Sequence, residues 1–149
     1  MLDVSFCVLT SQFIRKFLMN TLSRFQPMIL AMMRMATAYM FMLHGTAKLF
    51  AMPHVAMFDG ITIWSLYGIA GILEAVGGLL LLLGLFTRPV AFILSGQMAV
   101  AYFMAHAAQA PLLPLLNGGE AAALFSFIFL YLASAGGGAW ALDNQIARH

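Results

Sequence analysis

Charge is what this chain has least of: 8% of its residues are Asp, Glu, Lys or Arg, against about a quarter in an ordinary soluble domain. So thin a charge count excludes a water-facing globular surface. Cysteine is reduced to Cys7, which rules out an intramolecular disulfide, a CxxC redox pair or a thiolate cage for a metal. A Cys7 bridge between two copies is the one disulfide left open, and redox chemistry would run on a bound cofactor, a quinone or a partner's thiols. The few Lys and Arg form no block and do not interleave with aromatics, so the formal charge of +2 and basic pI give no nucleic-acid footprint.

The chain is instead 63% hydrophobic, with a mean hydropathy of +0.95 over 149 residues. It reads as an integral membrane protein of one domain in contact with the lipid bilayer. Apolar stretches at 27–50, 64–86, 89–108 and 120–140 each approach the roughly 20 residues needed to cross a hydrocarbon core about 30 Å thick. The expected fold is all-α: a four-transmembrane-helix bundle, up-down-up-down, over residues 27–143, with 144–149 as a tail. Pro27 suits the first turn of a helix, and Pro53 lies just past the first span. Gly84 should end the second helix, with Thr87 as N-cap and Pro89 in the first turn of the third, making a tight hairpin. Pro111 and Pro114 break the chain after the third span, and Asn117-Gly118-Gly119-Glu120 has the spacing of a capping box opening the fourth.

Residues 1–26 follow another pattern. Leu9, Phe13 and Phe17 recur at i, i+4 while Ser11, Gln12, Arg15, Lys16 and Asn20 lie on other faces, which predicts a short amphipathic segment along the cytoplasmic membrane surface. A cleaved signal peptide fits less well, because the basic residues follow the apolar stretch and no small-x-small site precedes Pro27. With four crossings, Arg15, Lys16, Arg24, Arg88 and Arg148 share one side and Lys48 ends a span on the other. Both termini are therefore expected in the cytoplasm.

Arg34, His44, Lys48 and Glu74 lie within the spans. An ionisable side chain near the middle of a membrane helix costs roughly 2.5–3.5 kcal/mol, and the default reading is a polar site inside the bundle. Counting about 1.5 Å per residue puts Arg34 and Gln97 in the inner half, Glu74 near the middle, and His44, Lys48 and His106 toward the outer face, with Asn117 and Glu120 at the outer mouth. Arg34, Phe41 and Lys48 are spaced by sevens on one stripe, with His44 a turn before Lys48. Gly45, and Gly68, Gly71, Ala75 and Gly78 around Glu74, allow the first two helices to approach closely. Glu74 is then the expected partner of Lys48 or Arg34.

His44-Gly45-Thr46-Ala47-Lys48-Leu49, Glu74 followed by Gly77-Gly78 and Gly84-Leu85-Phe86-Thr87-Arg88, then Asn117-Gly118-Gly119-Glu120 and the closing run from Gly136 to Asp143 together resemble the DoxX family of small bacterial membrane proteins. The resemblance covers about residues 32–143, and the order of the motifs carries it, since each alone is weak. It implies a four-helix domain in the bacterial inner membrane and, from relatives, a link to quinone-dependent thiosulfate oxidation or to redox complexes with soluble partners. The chain departs from the usual closing pattern in having Gly136-Gly137-Gly138 where relatives often carry a proline between glycines, which loosens the end of the fourth helix.

Three function classes follow. In a quinone-linked redox subunit, an oxidoreductase component that needs a protein partner, His44 and His106 exchange protons with the quinone, Lys48 steadies developing negative charge and Glu74 tunes both. Arg34, Phe41, Tyr67, Gln97, Tyr102 and Glu120 would complete the quinone pocket in the outer half of the bundle, with Phe103 as a further apolar wall. In a membrane anchor or assembly subunit, the polar groups only hold the bundle and the loops dock a soluble enzyme. In a proton-coupled carrier of small anions, Arg34 and Lys48 bind the solute and Glu74 gates it; the lack of an internal repeat argues against this unless a homo-oligomer doubles the spans. Blander readings stand beside these: Glu120 as a helix cap, Lys48 snorkelling to headgroups, and Arg34 with Glu74 as a register-fixing ion pair. Imidazole as a side-chain type can pass protons, so His44 and His106 are harder to explain as structure alone. Haem or metal is disfavoured because two His ligands complete no site without Glu74 or Glu120, and Met32, Met33, Met35, Met40 and Met42 read as packing before copper handling.

Overall fold

The computed structural model describes residues 4–108 and 110–147, with side chains described from Ser23 onward. The elements run α1 (Val4–Phe50), a 3-10 turn (Ala56–Phe58), α2 (Leu66–Leu83), α3 (Thr87–Ala101) continued by a π-helical turn (Tyr102–His106), the short α4 (Pro114–Asn117), α5 (Glu120–Ala135) and a final turn α6 (Asp143–Ile146). No strand occurs among the described residues. The Ser23–Phe50 part of α1, then α2, then Thr87–His106 are long and apolar enough to cross a membrane, and Glu120–Ala135 is a shorter apolar helix. These form the expected four-helix membrane bundle. At about 1.5 Å per residue, α5 reaches only roughly 24 Å, a shortfall that bilayers accommodate by thinning.

Two boundaries differ from expectation. Pro27 does not open a helix: α1 runs through it as one helix of 47 residues, of which Ser23–Phe50 is the membrane span. An interior proline removes its own N–H bond to the carbonyl four residues earlier; separately, the Pro27 carbonyl also accepts the Ala139 N–H at 2.9 Å, tying the loop after α5 to α1. The stripe of Leu9, Phe13 and Phe17, and Cys7 and Arg148, lie outside the described side chains. The fourth helix stops at Ala135, not 140, because Gly136–Gly138 leave the helical conformation.

Helix ends follow local chemistry. The Ser65 hydroxyl accepts the Gly68 N–H at 3.1 Å and starts α2, two residues later than expected. Gly84, at φ +69°, ends it, with Leu85 N–H bonded to the Leu80 carbonyl at 2.9 Å and Gly84 N–H to Leu81 at 3.1 Å. A left-handed residue here is what turns the chain straight back into α3, and glycine takes it without a Cβ penalty.

The bundle is two helix pairs, α1 with α2 and α3 with α5, joined by the α2–α3 hairpin, while α1 and α5 meet at few points. Ala38, Phe41, Leu81, Leu94, Phe129 and Leu132 form the shared core. Phe41 sits edge-on to Phe129 with ring centroids 4.8 Å apart and 5.3 Å from Phe125. Apolar side chains such as Ile29, Met40, Val76 and Phe92 point outward, as a lipid-facing surface requires. Met32 and Met40 face outward while Met33 packs on the core.

The α1–α2 pair is held close by glycine. A Cβ at Gly45 would fall on the Ala75 backbone and within 2.8 Å of the Gly71 carbonyl oxygen, whereas a Cβ at Gly96 would meet nothing within 4 Å. Gly45→Val should therefore cost about 1–3 kcal/mol through overpacking, while Gly96→Val should leave stability nearly unchanged. Thermal unfolding of the two variants in one detergent checks the contrast.

Candidate functional site

Gly45 and Gly71 set up the first polar centre, because the close helices bring the last turn of α1 beside the middle of α2. Lys48 Nζ lies 2.6 Å from both Glu74 carboxylate oxygens, with Glu74 only 2% exposed. Of the two partners open to Glu74, the structure selects Lys48. Gln97 Nε2 donates to Glu74 Oε1 at 3.2 Å and to the Ala70 carbonyl at 3.3 Å, so α3 joins the same centre. Gln97 thus lies level with Glu74 and not deeper toward the cytoplasmic end, as its counted depth suggested. Its Oε1 is buried with no hydrogen-bond partner. The Phe58 ring, from the turn after α1, stands over the ammonium with its centroid 5.4 Å from Nζ.

Arg34 belongs elsewhere. Fully buried, it donates from Nη1 to the carbonyls of Leu81 and Leu82, the latter at 2.8 Å, and from Nε to Gly137 at 2.8 Å. It ties the C-terminal end of α2 to the loop after α5 and makes no pair with Glu74. This is the reverse of a shared Arg34–Glu74 unit.

The remaining candidates are dispersed. His44 is exposed, with its ring edge-on to Phe125 at 6.2 Å, and has no hydrogen bond to Lys48 or Glu74. His106 donates from Nδ1 to the Asn117 carbonyl at 3.1 Å, and Tyr102 donates to the Pro111 carbonyl at 2.9 Å while accepting from Asn117 Nδ2 at 3.1 Å. That knot fixes the turn between α3 and α5. Asn117 Oδ1 accepts the Gly119 N–H at 2.8 Å, so Asn117 makes a local turn, and α5 starts at Glu120 with Gly119 as N-cap in place of the expected capping box. Glu120, Tyr67 and Phe103 are exposed, and Phe41 is part of the core. Among the described residues, no three His, Cys, Asp or Glu side chains converge. The pocket envisaged from sequence contracts to Lys48, Glu74 and Gln97.

Sequence reasoning missed Asp143. Its Oδ1 accepts the Phe86 N–H at 2.7 Å and its Oδ2 the Thr87 N–H at 2.8 Å, capping α3 from the far end of the chain. The N-cap is Phe86, at φ +50°, and not Thr87, which is already helical. No local spacing announces a cap supplied 56 residues away. Phe58 was likewise invisible, because only the folded turn carries it over Lys48.

The fold and this centre define a class: a small four-helix membrane protein with a buried Lys–Glu pair between its first two helices. The DoxX family model matches residues 29–107. An uncharacterised protein of Haemophilus influenzae is 49% identical over 131 residues, covering 85% of this chain and 97% of that protein. The chain belongs to the DoxX family. No solved structure matches it.

Partial burial pushes the Asp143 carboxyl up, but the N–H groups of Thr87 and Phe86 and the charge of Arg34 outweigh it and hold the group below the usual carboxylate range. A depressed native pKa makes its contribution complete above the unfolded value of about 3.9 and lost as pH falls through the native one. Asp143→Ala should therefore be less stable than the parent by about 1 kcal/mol, reduced by screening at this half-exposed site. The gap should stay level from about pH 5 to 8 and close below about pH 4, as thermal unfolding across that range would reveal.

Proposed function

We propose that this chain is the membrane subunit of a quinone-linked redox system, working with a protein partner that carries the electrons, and that Lys48, Glu74 and Gln97 hold the quinone head group. The observation that carries this is the Gln97 Oε1 acceptor, buried without a partner beside a charged pair. A buried polar group left unpaired costs roughly 1–3 kcal/mol, which a ligand with a hydroxyl would recover. Quinones supply two-electron, two-proton acceptance. Lys48 would present an ammonium proton to the carbonyl oxygen that gains charge, Glu74 would keep that ammonium charged, and Gln97 would accept the hydroxyl of the reduced form. Phe58 over Lys48 limits water at the same point.

Orientation belongs to the same reading. Arg24 and Arg88 lie at the end of the bundle opposite Lys48, which supports cytoplasmic termini in a bacterial inner membrane. A second reading, a non-catalytic anchor for a soluble enzyme, is favoured by the exposed Leu112, Leu113, Leu115 and Leu116 around α4, an apolar surface outside the spans.

Charge removal separates the two. Glu74→Gln strands Lys48 and should lower both stability, by about 3–5 kcal/mol, and quinone-dependent electron transfer. Replacing both partners, Lys48→Met with Glu74→Met, should restore most of the stability but not the electron transfer. Full turnover in the stable double variant would favour the anchor.

A further inference from the structure

A cavity lies at the other end of the molecule from Lys48. It has a volume of about 610 Å³ and opens between Pro27, Thr87, Arg88, Gly137 and Asp143. A second cavity of about 420 Å³ lies between α1 and α5, lined by Ile29, Leu30, Met33 and Tyr131. Gln26 and Leu30 line both, so the two make one groove with a polar mouth and an apolar floor. The groove runs between α1 and α5, which meet at few points. Its mouth is level with the start of the apolar part of α1 and the ends of the α2–α3 hairpin, which is the depth of lipid head groups.

The charged residues lining the mouth are Arg88 and Asp143, and both carboxylate oxygens of Asp143 are already occupied by the Phe86 and Thr87 N–H groups. Arg88 is exposed on the cavity wall and, among the described residues, has no hydrogen-bond or ion-pair partner. A soluble anion would use the arginine and leave the apolar cleft empty, and a neutral amphiphile would use the cleft and leave the arginine unpaired. Basic pockets between membrane helices select the anionic head groups of the cytoplasmic leaflet.

We propose that this groove is a binding site for an anionic phospholipid, with the phosphate on Arg88 and an acyl chain in the cleft between α1 and α5. The lipid completes the seam that the helices leave open. The site is independent of Lys48 and Glu74.

Native mass spectrometry of the full chain in mild detergent, titrated with phosphatidylglycerol or phosphatidylcholine, tests this. The parent should retain phosphatidylglycerol about fivefold more tightly, the weight of one basic side chain near an anionic surface. Arg88→Gln should bring the two lipids to parity and Arg88→Lys should keep most of the preference. Leu30→Trp, which fills the cleft without changing charge, should weaken both lipids. Equal affinity for the two lipids in the parent, an unchanged preference in Arg88→Gln, or unchanged binding in Leu30→Trp would each overturn the site. Displacement of phosphatidylglycerol by millimolar inorganic phosphate would overturn it too, by assigning the mouth to a soluble anion.

Discussion

The Arg34 guanidinium is the contact on which the hairpin end of the bundle depends. The last carbonyls of α2 have no partner within the helix and carry the negative end of its dipole, and Arg34 meets them fully buried, out of reach of water. Arg34 brings a full positive charge and a fork of donors to the Leu81 and Leu82 carbonyls, and its Nε reaches Gly137 beyond α5. One side chain of α1 thus fastens the end of α2 and the end of α5. A lysine, with a single point of charge on a flexible stem, could not span those acceptors.

The chain's last described segment builds on that clasp. Leu142 N–H bonds to the Leu83 carbonyl at 3.3 Å and Asp143 N–H to Gly84 at 3.0 Å, which aims the Asp143 carboxylate at the opening N–H groups of α3. Arg34 on the negative end of α2 and Asp143 on the positive end of α3 are charges of opposite sign on dipole ends of opposite sign. The hairpin between them is fixed from both sides by groups distant in sequence.

Much of this was legible beforehand, and the failures share a cause. Apolar runs, Gly84 and the small residues around Glu74 are local signals, and they pointed to the four helices, the tight hairpin and a partner for Glu74 that was either Lys48 or Arg34. Asp143, Phe58 and the Gly137 carbonyl act on groups 40 or more residues away only once the helices are packed, or reach across from a turn, and no spacing encodes that. Pro27 misled because a proline at a helix start and one inside a long helix look alike in sequence. Spacing puts His44 a turn before Lys48 and His106 at the same end, but spacing does not set where a ring points: His44 stands edge-on to Phe125 and His106 bonds to the Asn117 carbonyl.

The ion pair and the glycine contacts form one unit. Burying two charges is costly unless their geometry is close, and the closeness here exists only because Gly45 and Gly71 let the backbones meet. A pair serving solely as a strut gains most when every remaining donor and acceptor is satisfied, since low dielectric penalises each one that is not. This centre stops short of that: Glu74 is held by Lys48 and Gln97, yet Gln97 Oε1 faces no donor. Arg34 Nη2 and Thr87 Oγ1 are likewise buried without a partner at the far end of the bundle, so each polar centre leaves one group unpaired, and the one beside the ion pair is an acceptor.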